Sequence, residues 1–588
     1  MNIDITAFDG IRPRVGAHLL DNGMATIARN VRIGSGMLKP LGVMTLVQSN
    51  VDANTQSMYH WQDNWLFYSG LRSFAPGPAK SLAEDDEESK PSEINERRLF
   101  ISNDDTGGLY VFRQNNADWK LGVPAPTTAP TVATTTEPKA SSTKETRTYV
   151  YTYVNTLGQE SAPSPASDTI DVQGQKVSVS GINGDVSQIA SNGYCPIQYI
   201  YIYRLAAGNE DAGYMYVKKV TAANASTIDN VSDKKLGETM PSLGWRVPSN
   251  HLRMITAVGS NGYAAYYENE LRFSQPGYPY AWPDALSHVL EYEIVGIVRS
   301  SVYLYVFTKG SVYYMSVDDV TTSAPVKMEG IYPCLSAKGI VSVPGGAVFP
   351  CQDGLYFVGA GYSKPFKISA PYFDEPQWAA LWPADAFGAY SNGVLYYFLP
   401  SSRWRGSVGL MMKLGIDEGG NASIQNMTTT NAPVKVACTD DGNGFLHVLV
   451  PDGSKLKLML WEGQVNTGQA QAKTNMDAVW QSKSFLTGNK VNFSCAIVEQ
   501  EIEDDPVYEG GGLPIEEDLA KMGEEQTPPY TRVIFYRNGK EFYRREIQDR
   551  EAFVLPAGFT GRTLQMRIET NVWVRRVAVA ESMAELFA

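Results

Sequence analysis

Five histidines are the first place to look for chemistry: His18, His60, His251, His288 and His447. None stands at metal-ligand spacing from another or from a cysteine, and a lone histidine on a strand is ordinarily a packed or interface residue. The five cysteines, Cys195, Cys334, Cys351, Cys438 and Cys495, are widely spaced and include no C-x-x-C pair, which excludes a zinc ribbon or a thioredoxin-like motif. They read as reduced, buried thiols of a chain folded in a cytoplasm. There is no G-x-x-x-x-G-K-[ST], H-E-x-x-H, G-x-S-x-G or EF-hand loop, and Gly34-Ser35-Gly36 is too short for a dinucleotide fingerprint. The sequence therefore predicts no catalytic, cofactor or metal residue and no enzyme. A Ser/His/Asp triad assembled in space stays open, since spacing does not reveal one.

Charge offers two further kinds of residue. Acids cluster in Glu84-Asp85-Asp86-Glu87-Glu88 and again between Glu499 and Glu525, where Glu501, Glu503, Asp504, Asp505, Glu516, Glu517 and Asp518 stand. Such runs can bind calcium, repel a polyanion, or simply keep a loop solvated. Asp504-Asp505-Pro506 lacks the alternating oxygen ligands of a calcium loop. Near the N-terminus stand Arg12, Arg14, Arg29, Arg32 and Lys39, with Arg544, Arg545, Arg575 and Arg576 near the other end. They read either as electrostatic docking groups for acidic neighbours, with Arg12, Arg14, Arg29 and Arg32 as the candidates between subunits, or as ordinary surface charge.

The elements that must position these residues read as strands. The chain has 588 residues, 43% of them apolar, with 33 Tyr, 21 Phe, 11 Trp, 52 Gly and 33 Pro. Aromatic residues fill pleated surfaces, while Gly and Pro make the turns between them. Fifty basic against 63 acidic side chains leave a net charge of −13, unsuited to gripping nucleic acid by counterion release. No window approaches 18 apolar residues, and Met1-Asn2-Ile3-Asp4 does not open a signal peptide, so neither a membrane helix nor a secretory leader is expected.

Asn-Gly and Asp-Gly dipeptides precede many of the apolar runs, the strongest short-range hairpin signal. Ser300 to Tyr305, Gln352 to Phe357, Asn392 to Tyr397 and Asn443 to Val448 resemble one another, with Leu304, Leu355, Leu395 and Leu446 in equivalent places. A unit of roughly 40–50 residues with about four strands has the spacing of a propeller blade. The run Val123 to Thr146, with Pro124, Pro126, Pro130 and Pro138 among Thr, Ala and Ser, reads as a linker. After it, Tyr149 to Val154, the Glu160-Ser161-Ala162-Pro163-Ser164 turn and Tyr199 to Arg204 resemble a fibronectin type III-like sandwich. The predicted fold is all-β: a β-propeller with an inserted fibronectin type III-like sandwich and a C-terminal β-sandwich module. The expected divisions are 1–139, an N-terminal β segment with the first propeller strands; 140–245, the insert; 246–478, the remaining blades; and 479–588, the C-terminal module.

Several segments together resemble a known family. Phe8-Asp9-Gly10-Ile11-Arg12-Pro13-Arg14, Ala28-Arg29-Asn30-Val31 and Gly36-Met37-Leu38-Lys39-Pro40-Leu41 look like the opening of tail nozzle proteins, the tail tubular B-type proteins of short-tailed bacteriophages. Phe273-Ser274-Gln275-Pro276-Gly277-Tyr278-Pro279, Cys334 to Val341 with Asp353-Gly354-Leu355, and Trp480-Gln481-Ser482-Lys483-Ser484-Phe485 follow in the same order as in that family. The resemblance implies a structural virion protein, folded in the host cytoplasm and built into the virion tail. It implies a homo-hexameric ring below the adaptor (head-to-tail connector) protein, with tail fibre or spike proteins at the side or tip. Double-stranded DNA would pass through the channel without sequence-specific binding, be retained there, and be released at ejection. The acids from Glu501 to Asp518 are then candidate lumen-facing groups. Two other readings stand beside this one: a receptor-binding tail protein whose Tyr and Trp stack on host glycans, and a polysaccharide hydrolase, which would need paired carboxylates about 5–9.5 Å apart.

Overall fold

A computed structural model of the chain describes residues 2–32, 36–62, 64–77, 98–113, 118–140, 142–205, 213–259, 262–399, 409–416, 422–439, 443–462, 475–501, 529–556 and 561–587. The fold is all-β. Among the described residues the α-helices are three short pieces, Val186–Ser191, Glu375–Ala379 and Met583–Leu586. None is long and apolar enough to cross a membrane. The strands gather into two compact units: Gly70–Ile331 is one, and Met1–Ser69 with Tyr332–Ala588 is the other.

In the 70–331 unit three antiparallel sheets share one plan. Each is a four-stranded meander: 72–120, 253–289 and 294–327. The first strands lie against one another, Arg72–Pro76 against Arg253–Val258, and Arg253–Val258 against Ile294–Ser300. Buried polar groups fix the first of these contacts. The Asp104 carboxylate accepts from Ser73 Oγ at 2.6 Å, Ser102 Oγ at 2.6 Å and the Met254 amide at 2.7 Å, joining three strands at one point. Aromatic side chains such as Tyr263, Phe273 and Trp282 fill the space between the sheets.

The same unit contains a smaller layered module between residues 131 and 229. Tyr149–Asn155, Ile197–Leu205 and Tyr214–Thr221 form one sheet, and Thr131–Thr134, Val177–Ser180 and Ser226–Asp229 another. Tyr149, Tyr151, Tyr153, Ile200, Ile202, Val177 and Val179 alternate inward and pack into one core. The edge of Tyr149–Asn155 is sealed in an unusual way. Ser161, Ser164 and Ser167 each donate a backbone N–H to the carbonyl of Tyr153, Tyr151 and Tyr149, at 2.8–2.9 Å. Their hydroxyls accept the amides of the same three tyrosines at 2.9, 3.1 and 3.0 Å. Pro163 and Pro165 have no N–H to donate, so the serine side chains let a proline-rich segment satisfy a buried strand edge.

In the other unit the 341–367 sheet is again a four-stranded meander. A ten-stranded sheet begins with the 387–430 strands and runs through Ala25–Arg29 into Ala478–Ser482, Gly561–Thr570, Thr531–Arg537 and Lys540–Glu546. Its C-terminal half faces a second sheet made of Asn2–Ile5, Trp573–Ala580, Cys495–Glu501 and Phe553–Val554. Inward residues of both, including Ile3, Trp480, Val498, Phe535, Ile568 and Val577, form one core. A further sheet orders Thr45–Val51, Lys455–Leu460, Leu446–Asp452 and Val436–Thr439, so an early strand completes a sheet of late ones. The hairpin signals act as expected at Asn392-Gly393 and Asn538-Gly539, where both residues of each turn have positive φ. Leu304, Leu395 and Leu446 lie on the second strand of the consecutive runs that start at Ile294, Phe387 and Val436, but Leu355 lies on the third strand of the run that starts at Val341. The hairpin around Gly345-Gly346 supplies the second strand there, and Asp353-Gly354 turns one strand later.

Replacing Ser164 by Ala leaves the Tyr151 amide without its side-chain acceptor in a buried place. Chemical denaturation should show a loss of about 1–3 kcal/mol. A loss under a few tenths would contradict the sealing role.

Candidate functional site

The described residues that join most of the resembling segments lie in one place, where residues 8–41 run through the unit formed by both chain ends. Phe8 sets its ring edge against Trp480, with centroids 4.9 Å apart. The Trp480 indole is fully buried and donates to the Asp9 carbonyl at 3.0 Å. The Gly10 amide donates to Asn426 Oδ1 at 2.9 Å and the Ile11 amide to the Met427 carbonyl at 2.8 Å. A Cβ at Gly10 would stand 2.0 Å from that carbonyl oxygen, which explains a glycine here. Ala25–Arg29 then pairs antiparallel with Ala478–Ser482 and meets Ala422–Thr430 in parallel at Thr429.

Asn30 ends this strand with φ of 56°, a left-handed conformation that asparagine tolerates better than most residues. Its carboxamide donates to Asn431 Oδ1 at 3.0 Å and to the Asp477 carbonyl at 2.9 Å, and it accepts from Thr430 Oγ1 at 3.0 Å. Its own amide and carbonyl pair with Thr429 and Leu41. One residue thus ties three separate stretches of chain.

The four arginines singled out by sequence have different neighbours. The Arg12 guanidinium lies 5.8 Å from the centre of the Tyr372 ring. Burial pushes the Tyr372 hydroxyl up, and Arg12 beside it pulls it back. Arg14 is exposed, with its backbone amide on the Tyr372 carbonyl and its guanidinium on that of Ala370. Arg29 lies in the same row of the ten-stranded sheet as Glu569, and its Nε finds no acceptor among the described residues. Arg32 pairs with Glu462 at 3.5 Å. Burial raises the Glu462 carboxyl above the usual carboxylate range, while Arg32 draws it down.

Of the acids, Glu501 is the last residue of Cys495–Glu501 and pairs with the exposed Arg575. Glu503, Asp504, Asp505, Glu516, Glu517 and Asp518 lie outside the described residues, as does the run from Glu84 to Glu88. Among the described residues no group of three His, Cys, Asp or Glu side chains is placed to hold a metal ion. The arrangement is built for joining: it supplies buried hydrogen bonds within the chain and leaves individual charged groups at its surface. Sequence reasoning passed over Asn426 and Glu462 and took Asn30 only as part of the resembling segment 28–31. An asparagine at the end of a strand is a signal for positive φ and was available; Asn426 and Glu462 carry none.

No family model and no curated protein matches this chain. Among solved structures, a functionally unknown protein from Desulfotomaculum acetoxidans is 7% identical, covering 61% of this chain and 90% of that one with a TM-score of 0.23. The S. cerevisiae core factor is 10% identical, covering 74% of this chain and 64% of that one with a TM-score of 0.28. Likeness at this level carries no argument about fold or function.

Two outcomes test this geometry. Asn30→Ala should destabilise more than Asn30→Gly, by about 1 kcal/mol, because both lose the carboxamide bonds but only alanine is strained at positive φ. Equal denaturation midpoints would contradict it. Glu462 has a folded-state value above its unfolded one, so its support for folding is complete only below the unfolded value and is lost as pH rises through the folded one. Glu462→Gln should therefore melt higher than the parent chain at neutral pH, with the gap closing as pH falls through the carboxylate range. A gap independent of pH would contradict the assignment.

Proposed function

We propose that this chain is a structural subunit of a short-tailed phage virion, a tail nozzle protein assembled as a ring of six around a DNA channel. The observation that carries the reading is convergence. Segments that resemble the family near the start of the sequence, residues 8–14, 28–31 and 36–41, meet the resembling segment 480–485 from the far part of the chain in one junction. A resemblance assembled by chance from unrelated turns has no reason to do so. The repeated four-stranded meanders, packed first strand to first strand within each unit, support the finer reading that they are blades of a β-propeller. The 131–229 layers support the reading of an inserted fibronectin-like sandwich.

In this role the adaptor protein sits above the ring, fibres or spikes attach at its side or tip, and the virion tail is the place of action. DNA moves through without being read. A net charge of −13 per chain suits that task, because acidic walls repel phosphates and leave DNA mobile.

Imaging the native tail at subunit resolution tests the proposal. Six copies around a central channel, directly below the connector, are expected. Three copies at a fibre tip would replace it with receptor binding, and absence from virions would overturn it.

A further inference from the structure

We infer that Asn392 is a site of covalent modification, where the side-chain amide is lost to attack by the Gly393 nitrogen and an isoaspartyl link is left in the chain. The inference stands apart from the tail reading and rests on a matched pair of turns.

Asn392-Gly393 and Asn538-Gly539 are one structure built twice. Each is the two-residue loop of an antiparallel hairpin, closed by Ser391 opposite Val394 in the first and by Arg537 opposite Lys540 in the second. The asparagines have φ of 50° and 49°, and the glycines φ of 80° and 76°. Both asparagines are exposed, and the space beside each glycine is open. Backbone shape and access to water therefore do not separate the two.

The carboxamides do. Asn538 Oδ1 accepts from the Arg562 amide at 3.1 Å, the Thr563 amide at 3.2 Å and Thr563 Oγ1 at 3.4 Å, which fastens it to the start of Gly561–Thr570. The Asn392 carboxamide makes no hydrogen bond to any described residue. Elsewhere, Asn22 and Asn183 each have one carboxamide contact, with Lys483 Nζ and the Ala223 carbonyl, and the Gly193 amide beside Asn192 is donated to the Ala190 carbonyl.

A glycine after asparagine leaves the attacking nitrogen unshielded by a side chain. Hydroxide takes the Gly393 N–H proton, and the nitrogen attacks Asn392 Cγ. A C–N bond forms, the Cγ–Nδ2 bond breaks, and ammonia leaves with a proton from water, which restores the hydroxide. Water then opens the five-membered imide at either carbonyl, giving aspartate or isoaspartate. In sum, one water enters and one ammonia departs. Swinging Cγ onto the glycine nitrogen opens either turn alike, but at Asn538 it also breaks three hydrogen bonds. Isoaspartate carries the backbone through Cβ and lengthens a loop whose register allows two residues. Next to it, Ser391 Oγ donates to the Gly444 carbonyl at 2.7 Å, so the change loosens the 387–398 hairpin from the segment leading into Leu446–Asp452.

The test holds the full chain at mildly alkaline and mildly acidic pH, folded and in denaturant. Timed digests are read by mass spectrometry at both turns, with isoaspartate scored by enzymatic methyl labelling. In the folded chain, conversion at Asn392 should outrun that at Asn538 about tenfold or more and should slow in acid. In denaturant the gap should close, because the hydrogen bonds that protect Asn538 are gone. Equal rates in the folded chain, faster conversion at Asn538, or a gap that persists in denaturant would overturn the inference. So would an Asn392 that stays intact in the folded chain while the denatured chain converts.

Discussion

The ten-stranded sheet of the unit formed by the two chain ends depends on one short strand, Ala25–Arg29, lying between strands from two different parts of the sequence. On one side is Ala422–Thr430, the last strand of a meander; on the other is Ala478–Ser482, the first strand of the C-terminal sandwich. The strand is short, so side chains around it supply much of the hold. Trp480 on the Asp9 carbonyl, Asn426 on the Gly10 amide and Asn30 on three partners are buried or half-buried polar contacts, each costly to leave unmade. Because these contacts link residues some 400 positions apart, the unit closes only when both chain ends are present.

In the proposed tail role, that construction would bear load. Four-stranded meanders give repetitive layers, the buried Asp104 node ties two neighbouring sheets by hydrogen bonding, and the serine segment seals the edge of Tyr149–Asn155. Arg12 and Arg32, which the sequence offered as docking groups, are engaged by Tyr372 and Glu462 of their own chain, whereas Arg14 remains exposed. In the proposed ring, then, these N-terminal arginines already have contacts within their own chain, Arg14 included, whose guanidinium donates to the Ala370 carbonyl.

The all-β class was legible because strand formation is local here. Alternating aromatics and Asn-Gly turns state where strands begin and end, as at Asn392-Gly393 and Asn538-Gly539. Pairing was less legible. Leu355 is not equivalent to Leu304, Leu395 and Leu446, because the Gly-Gly hairpin at 345–346 adds a strand before the Asp-Gly turn on which the sequence alignment rests. The joining of Ala25–Arg29 to strands beyond residue 422 left no mark in any local pattern, since strand partners so distant are selected by burial and register and not by neighbouring residues. The same holds for the candidate site. Its arginines could be found by charge, but Asn426 and Glu462 owe their roles to what folds against them.

The central structural claim is that the strand Ala25–Arg29 joins the meander and the sandwich into one cooperative body. Hydrogen exchange measured strand by strand tests it most directly. The account predicts that amides of Ala25–Arg29 are among the slowest to exchange and that they open together with those of Ala478–Ser482 and Gly561–Thr570. Rapid exchange in Ala25–Arg29 while those two strands stay protected would contradict it.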